Sequence, residues 1–135
     1  MLLNHGQLCG TRILNPATVA LMGRNHTGAL RAGVMKTAMP ELTNDVDLFP
    51  GARLGWGLGY MVNLEAGPDG RSAGTLSWAG LRNTYYWLDP VKRVAGVIMT
   101  QILPFADLQV LTLSRAFEGS CRDPALSLHS QILPP

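Results

Sequence analysis

The chain has 135 residues, 47% of them hydrophobic and 15% charged, with a formal net charge of +2. That composition fits one globular domain, or part of one, and excludes a disordered polymer. The basic residues form no block, so nucleic acid is not expected as a partner.

Met1-Leu2-Leu3 has the character of a last helical turn, with Gly6 placed as its stop. It is read either as the end of a helix whose earlier turns precede Met1 or as a frayed turn. The segment has no basic n-region and is not expected to act as a signal peptide. No apolar run reaches the roughly 18 residues that span a bilayer, so no membrane partner is expected. Cys9 and Cys121 lie far apart in sequence. Two free thiols in a reducing cytoplasm suit them best, with a single disulfide left open. Neither has a Cys or His at ligand spacing, and no metal or cofactor is expected.

Gly10 to Leu14 is a short extended link. Asn15-Pro16 then starts a helix, Asn as N-cap and Pro at the first helical position. The helix runs over Ala17 to Arg24 with Val19 and Met22 on one face. His26, at its end, is expected to serve the helix terminus and not chemistry. Residues 28–51 show no sustained period and carry Pro40 and Pro50. They are expected to form a long surface loop that flaps over a pocket.

From Leu54 to Leu64 the even positions are apolar, and Gly55, Gly57 and Gly59 fall between them. Strict period two predicts one strand, and its glycine face invites another backbone or side chain to lie close. Further strands are predicted near 75–79, 83–89 and 94–101. The last two make an antiparallel hairpin whose tip is Asp89-Pro90-Val91-Lys92-Arg93, a type I turn signal. Ala106, Val110, Leu113 and Phe117 fall on one helical stripe, which should lie on the sheet, with Gly119 as the stop. Residues 120–135 are polar and Pro-bearing, and read as a loose tail.

Local chemistry is sparse. No serine lies in Ser-x-x-Lys, and Gly55-Trp56-Gly57-Leu58-Gly59 runs through a strand instead of opening a helix, so it is no phosphate cradle. The Trp78-Ala79-Gly80 corner stands out, because a large ring adjoins two residues with almost no side chain. On local grounds alone it reads as a packed strand end.

Five segments in order change that reading: residues 15–22, beginning Asn15-Pro16; Gly55 to Tyr60; Ser77 to Gly80; Thr84 to Pro90; and Gly96 to Gln101. Together they resemble the C-terminal part of β-lactamase-related serine hydrolases, nearest the esterase branch of the class C β-lactamase and penicillin-binding-protein group. The resemblance implies an α/β (α+β) fold, an antiparallel sheet with the C-terminal helix packed on it, within a β-lactamase/transpeptidase-like architecture. Residues 1–119 would be the C-terminal part of that domain. The family attacks esters or lactams through a Ser-x-x-Lys serine assisted by Tyr-x-Asn, and a third motif edges the pocket.

By resemblance Trp78, Ala79 and Gly80 occupy the third motif, and the backbone N–H of Leu81 would form half of the oxyanion hole. Trp in place of the lactamases' Lys removes a cation and argues for neutral esters. Neither Ser-x-x-Lys nor Tyr-x-Asn occurs in the 135 residues. The chain is therefore expected to be inactive alone. Its expected partners are a small-molecule ester once completed by an N-terminal fragment, or a second copy in a homo-oligomer. The rival readings are an interaction module, binding through the glycine-rich strand and the 28–51 segment, and a truncated product without function.

Overall fold

The structure, a computed structural model, describes residues 1–122. The chain opens with a 3-10 turn, Leu2–Asn4, which ends at His5 and Gly6, both at positive φ. A two-residue ladder follows, β1 (Gln7–Leu8) against β2 (Thr11–Arg12). Helix α1 covers Pro16–Met22. The Asn15 side chain accepts a hydrogen bond from the Ala17 N–H at 2.9 Å, and Pro16 takes the first position, as the sequence predicts.

The body is a five-stranded antiparallel meander: β3 (Leu54–Trp56), β4 (Met61–Asn63), β5 (Leu76–Gly80), β6 (Thr84–Asp89) and β7 (Val94–Ile98), each paired with the next. Helix α2 (Leu108–Cys121) starts at Asp107, whose carboxylate accepts from the N–H groups of Gln109 and Val110. The predicted fold class, an antiparallel sheet with a C-terminal helix on it, is what is observed. The core lies between this helix, the sheet and residues 46–48. It is built from Val46, Leu48, Leu54, Met61, Tyr85, Ala106, Val110 and Leu111.

The hairpin tip at 89–93 follows its sequence signal. The Asp89 side chain accepts from the N–H groups of Val91, Lys92 and Ser72. Burial alone would raise its pKa. The hydrogen bonds outweigh burial and hold the carboxyl below its ordinary value.

Three expectations are corrected. The strand predicted over 54–64 is a hairpin, β3 and β4, reversed at Gly57–Tyr60. The Gly57 N–H donates to the Tyr60 carbonyl at 2.7 Å, and Gly59 takes φ +94°. Alternation continued through the turn by coincidence, and the reversal puts Met61 and Asn63 on the face of Leu54. The glycine face is occupied by the chain itself, not by a partner. A Cβ at Gly55 would sit 2.5 Å from Asn25 Oδ1, and one at Gly57 2.3 Å from the Met22 carbonyl oxygen.

Residues 28–51 are no free flap. Ala32 bridges to Leu54 and Met35 to Val46, and Val46 and Leu48 are core residues. The buried face of α2 is also turned. Val110, Leu111, Ser114 and Glu118 point inward, Leu113 is 56% exposed, and the helix passes Gly119 to end at Cys121. From residue 123 onward the predicted tail lies outside the described residues.

The turn of α2 has an electrostatic cause. Arg71, 3% exposed, donates from Nε and Nη2 to the two Glu118 oxygens, each at 2.7 Å, and from Nη1 to Ser77 Oγ at 3.0 Å. Its guanidinium also lies 3.7 Å above the Phe49 ring. Stripping Glu118 away leaves the buried Arg71 with only the part-exposed Asp69 carboxylate, 3.6 Å away, as a counter-charge. Glu118→Ala is therefore expected to cost about 3–5 kcal/mol, read as a lowered urea midpoint, whereas Leu113→Ala should cost under about 1.5 kcal/mol.

Candidate functional site: an open strand corner

Trp78, Ala79 and Gly80 form the end of β5. They pair with Tyr86, Tyr85 and Thr84 of β6. On the other side β4 reaches only as far as Ser77, through the Met61–Ser77 pair. The chain then leaves into the Gly57–Tyr60 turn, so among the described residues β5 has no strand on this side from Trp78 onward.

Backbone direction alternates along a strand. Ser77 is paired toward β4, so Ala79 and then Leu81 turn their polar groups to that vacated side. Among the described residues the Leu81 N–H meets no acceptor, and the residue is 49% exposed.

Gly80 differs from the other glycines of the sheet. A Cβ at Gly96 would lie 2.0 Å from the Trp87 ring, and Gly55 and Gly57 are as tightly filled. A Cβ at Gly80 would meet only Thr84 Cβ at 3.6 Å, an ordinary contact, and its φ is not left-handed. Among the described residues, neither packing nor backbone geometry accounts for the missing side chain.

An aromatic wall flanks the corner. Trp78 meets Trp56 edge-on with centroids 4.5 Å apart, and Tyr86 meets Tyr60 edge-on at 6.3 Å. Burial, with the Tyr60 phenol beside it, raises the Tyr86 pKa. The sequence did not predict this grouping, because it depends on the Gly57–Tyr60 reversal. Tyr86 opposite Trp78 was its one local sign, as a cross-strand pair.

The turn that carries Leu81 is fixed from behind by Asn83. This residue is fully buried and takes φ +58°, a conformation Asn tolerates. Its Nδ2 donates to the carbonyls of Ile102 (2.9 Å) and Pro104 (2.8 Å). Its Oδ1 accepts from the Tyr85 hydroxyl (2.7 Å) and the Asp107 N–H (3.0 Å). Every hydrogen-bonding site of the amide group facing the protein is used, a strong constraint on position. Thr100 Oγ1 adds bonds to the carbonyls of Arg82 and Asn83. Burial pushes the Tyr85 phenol up to about 12.

The remaining candidates are structural. Ser77 is 2% exposed and bonded to Arg71; Ser114 is buried on α2. The His26 ring Nε2 lies 2.9 Å from the Leu21 carbonyl, and the backbone N–H of His26 donates to the Trp56 carbonyl. Among the described residues no group of three His, Cys, Asp or Glu side chains is placed to hold a metal ion, and no helix is long and apolar enough to cross a membrane.

The comparisons agree with this architecture. A family model described as Beta-lactamase matches residues 11–118. Acyltransferase calJ of Penicillium decumbens is 30% identical over 110 residues, which are 79% of this chain and 26% of that protein. Unliganded simvastatin synthase (LovD) from Aspergillus terreus superposes with a TM-score of 0.64 at 23% identity, over 87% of this chain and 30% of its own. A penicillin-binding-protein homolog from Caulobacter crescentus gives 0.54 at 20% identity, over 87% and 29%. The chain thus spans less than a third of each of these relatives.

Two measurements probe the support behind the corner. Asn83→Ala removes four buried hydrogen bonds and puts a Cβ residue with no local polar compensation at positive φ, so a loss of about 3 kcal/mol or more is expected in urea unfolding. Because the Tyr85 pKa is raised on folding, its contribution is present below pH 10 and is lost as pH rises toward 12. Tyr85→Phe should flatten that alkaline decline while lowering stability at neutral pH.

Proposed function

We propose a function from one premise: the chain belongs to the beta-lactamase family. It supplies one wall of an acyl-transfer pocket, with the open end of β5 facing the scissile carbonyl. The Leu81 N–H donates to the carbonyl oxygen as negative charge develops on it, which lowers the barrier because the donor is fixed before the reaction begins. Ala79 and Gly80 keep side chains out of the carbonyl's path. Trp78, supported edge-on by Trp56, offers an apolar surface where a cation would otherwise stand, so neutral acyl esters are the substrate class.

The nucleophile and its base come from elsewhere. The 135 residues hold neither Ser-x-x-Lys nor Tyr-x-Asn, and an acyl-enzyme needs an activated nucleophile. The chain alone therefore leaves esters intact and works only with a polypeptide that brings these groups. Whether the acyl group then passes to water or to an alcohol depends on that completed site. The name of calJ, an acyltransferase, favours an acceptor other than water.

The observation that carries this reading is the pairing of an unengaged Leu81 amide with a Gly80 that packing does not require. The purified chain should take up no fluorophosphonate label and should not hydrolyse p-nitrophenyl butyrate. Turnover that disappears on a single Ser→Ala change would refute the proposal. Residues 11–118 grafted into calJ in place of its matching stretch test the wall itself. There, Leu81→Pro should lower kcat by about 100-fold or more, with KM little changed.

A further inference from the structure

We propose, resting on the acyl-pocket reading, that Phe105 is a positioning residue for acyl transfer. It holds the loop from which Asn83 takes its hydrogen bonds, and through Asn83 it fixes the aim of the Leu81 N–H.

The connection from β7 to α2, residues 99–107, belongs to no helix or strand, so no ladder fixes its path. Hydrogen bonds tie it to two places. One is the turn behind the corner. The carbonyls of Ile102 and Pro104 accept from Asn83 Nδ2 at 2.9 and 2.8 Å, and the Asp107 N–H donates to Asn83 Oδ1 at 3.0 Å. Thr100 Oγ1 donates to the carbonyls of Arg82 and Asn83 at 2.7 and 3.1 Å. The other place is residues 42–44. The Phe105 N–H donates to the Leu42 carbonyl at 2.7 Å, and the Asn44 N–H donates to the Phe105 carbonyl at 2.9 Å. Together they make one parallel bridge between Thr43 and Phe105.

Phe105 joins the two places. Its backbone carries the bridge to Thr43, and its ring stacks on Tyr85 with centroids 6.0 Å apart and planes at 27°. The Tyr85 hydroxyl in turn donates to Asn83 Oδ1 at 2.7 Å. The far side of the bridge is anchored as well. Met35 and Val46 exchange backbone hydrogen bonds of 2.8 and 3.0 Å, and Val46 belongs to the core. The segment expected to be a flap is thus a brace. Every link joins atoms already in contact within the chain, so none waits on the polypeptide that brings the nucleophile. An oxyanion donor lowers the barrier only if it is fixed before charge develops. A misplacement of about 1 Å far from the chemistry can cost roughly 100-fold in rate. Phe105 touches neither donor nor substrate, so part of that loss is expected on removing its ring.

Backbone nitrogen-15 relaxation of the purified chain tests the mechanical step. In the wild type the Leu81 and Arg82 amides should be rigid, with order parameters of about 0.85, and Phe105→Ala should bring them below about 0.6. Helix α1, which shares no hydrogen bond with the brace, should stay unchanged and shows that the variant is folded. Phe105→Leu, which keeps more of the apolar volume, should give a smaller drop, and Phe105→Tyr, which keeps the ring, should give little.

The calJ graft carrying residues 11–118 tests the catalytic step. There Phe105→Ala should lower kcat about 10-fold and leave KM within about twofold. The amount of fluorophosphonate label taken up should not change, because the number of competent sites is the same. In a Leu81→Pro background the same substitution should cost nothing further, since its effect passes through that N–H. Leu81 amides that are already mobile in the wild type overturn the proposal. So does an equal loss of kcat in both backgrounds, or a loss of label in step with kcat. A graft that responds to Leu81→Pro and not to Phe105→Ala overturns the positioning role and leaves the acyl-pocket reading standing. A graft indifferent to Leu81→Pro overturns both.

Discussion

The Arg71–Glu118 pair holds four separate parts of the chain against one another. Arg71 comes from the turn-rich link between β4 and β5, and Glu118 from the far end of α2. Ser77 lies on β5, and Phe49 lies in the long segment before β3. Both charged groups are withdrawn from water, at 3% and 5% side-chain exposure, and each is the other's nearest counter-charge, with Asp69 and Arg122 farther off at 3.6 and 3.7 Å. A buried charge without its partner costs several kcal/mol, whereas a half-exposed leucine forfeits about 1 kcal/mol. That inequality explains why α2 turns a glutamate toward the sheet and lets Leu113 face outward, against its apolar periodicity.

The same comparison shows what the sequence made readable. Local signals held wherever the responsible atoms are close in the chain. The Asn15 cap, the Pro16 start, the Asp89-Pro90 turn and the hairpin that it closes were all readable from neighbouring residues. Errors arose where distant residues decide. Alternation from Leu54 to Leu64 looks unbroken because the reversal at Gly57–Tyr60 leaves the spacing of apolar residues intact while exchanging the faces they occupy. The 28–51 segment lacks periodicity because its contacts are isolated bridges, and only the folded chain shows Val46 and Leu48 as core.

The corner at the end of β5 was identified partly from its composition and partly through family resemblance. Small residues beside an indole mark a place of close approach. They do not say whether the visitor is the protein's own backbone or something from outside. The structure separates the glycines of this sheet on that point. Gly55, Gly57 and Gly96 are each filled by a named neighbour, and Gly80 is not. Asn83 bears equally on the corner, yet nothing local marks it in sequence, because its four partners lie up to 24 residues away.

The three tryptophans divide between two unlike surroundings. Trp87 is 1% exposed, lies over Gly96 and meets Phe117 edge-on at 5.4 Å. Trp56 and Trp78 stand against each other at the rim of the corner, 4.5 Å apart and nearly perpendicular. Two indoles that close and that tilted couple their transition dipoles, and give a paired band of opposite signs in the far-ultraviolet spectrum. A solitary indole sealed in hydrocarbon emits at short wavelength instead. The chain thus carries separate optical signals for its interior and for its proposed acyl-binding wall, so an event at one can be followed without labels and without confusion with the other.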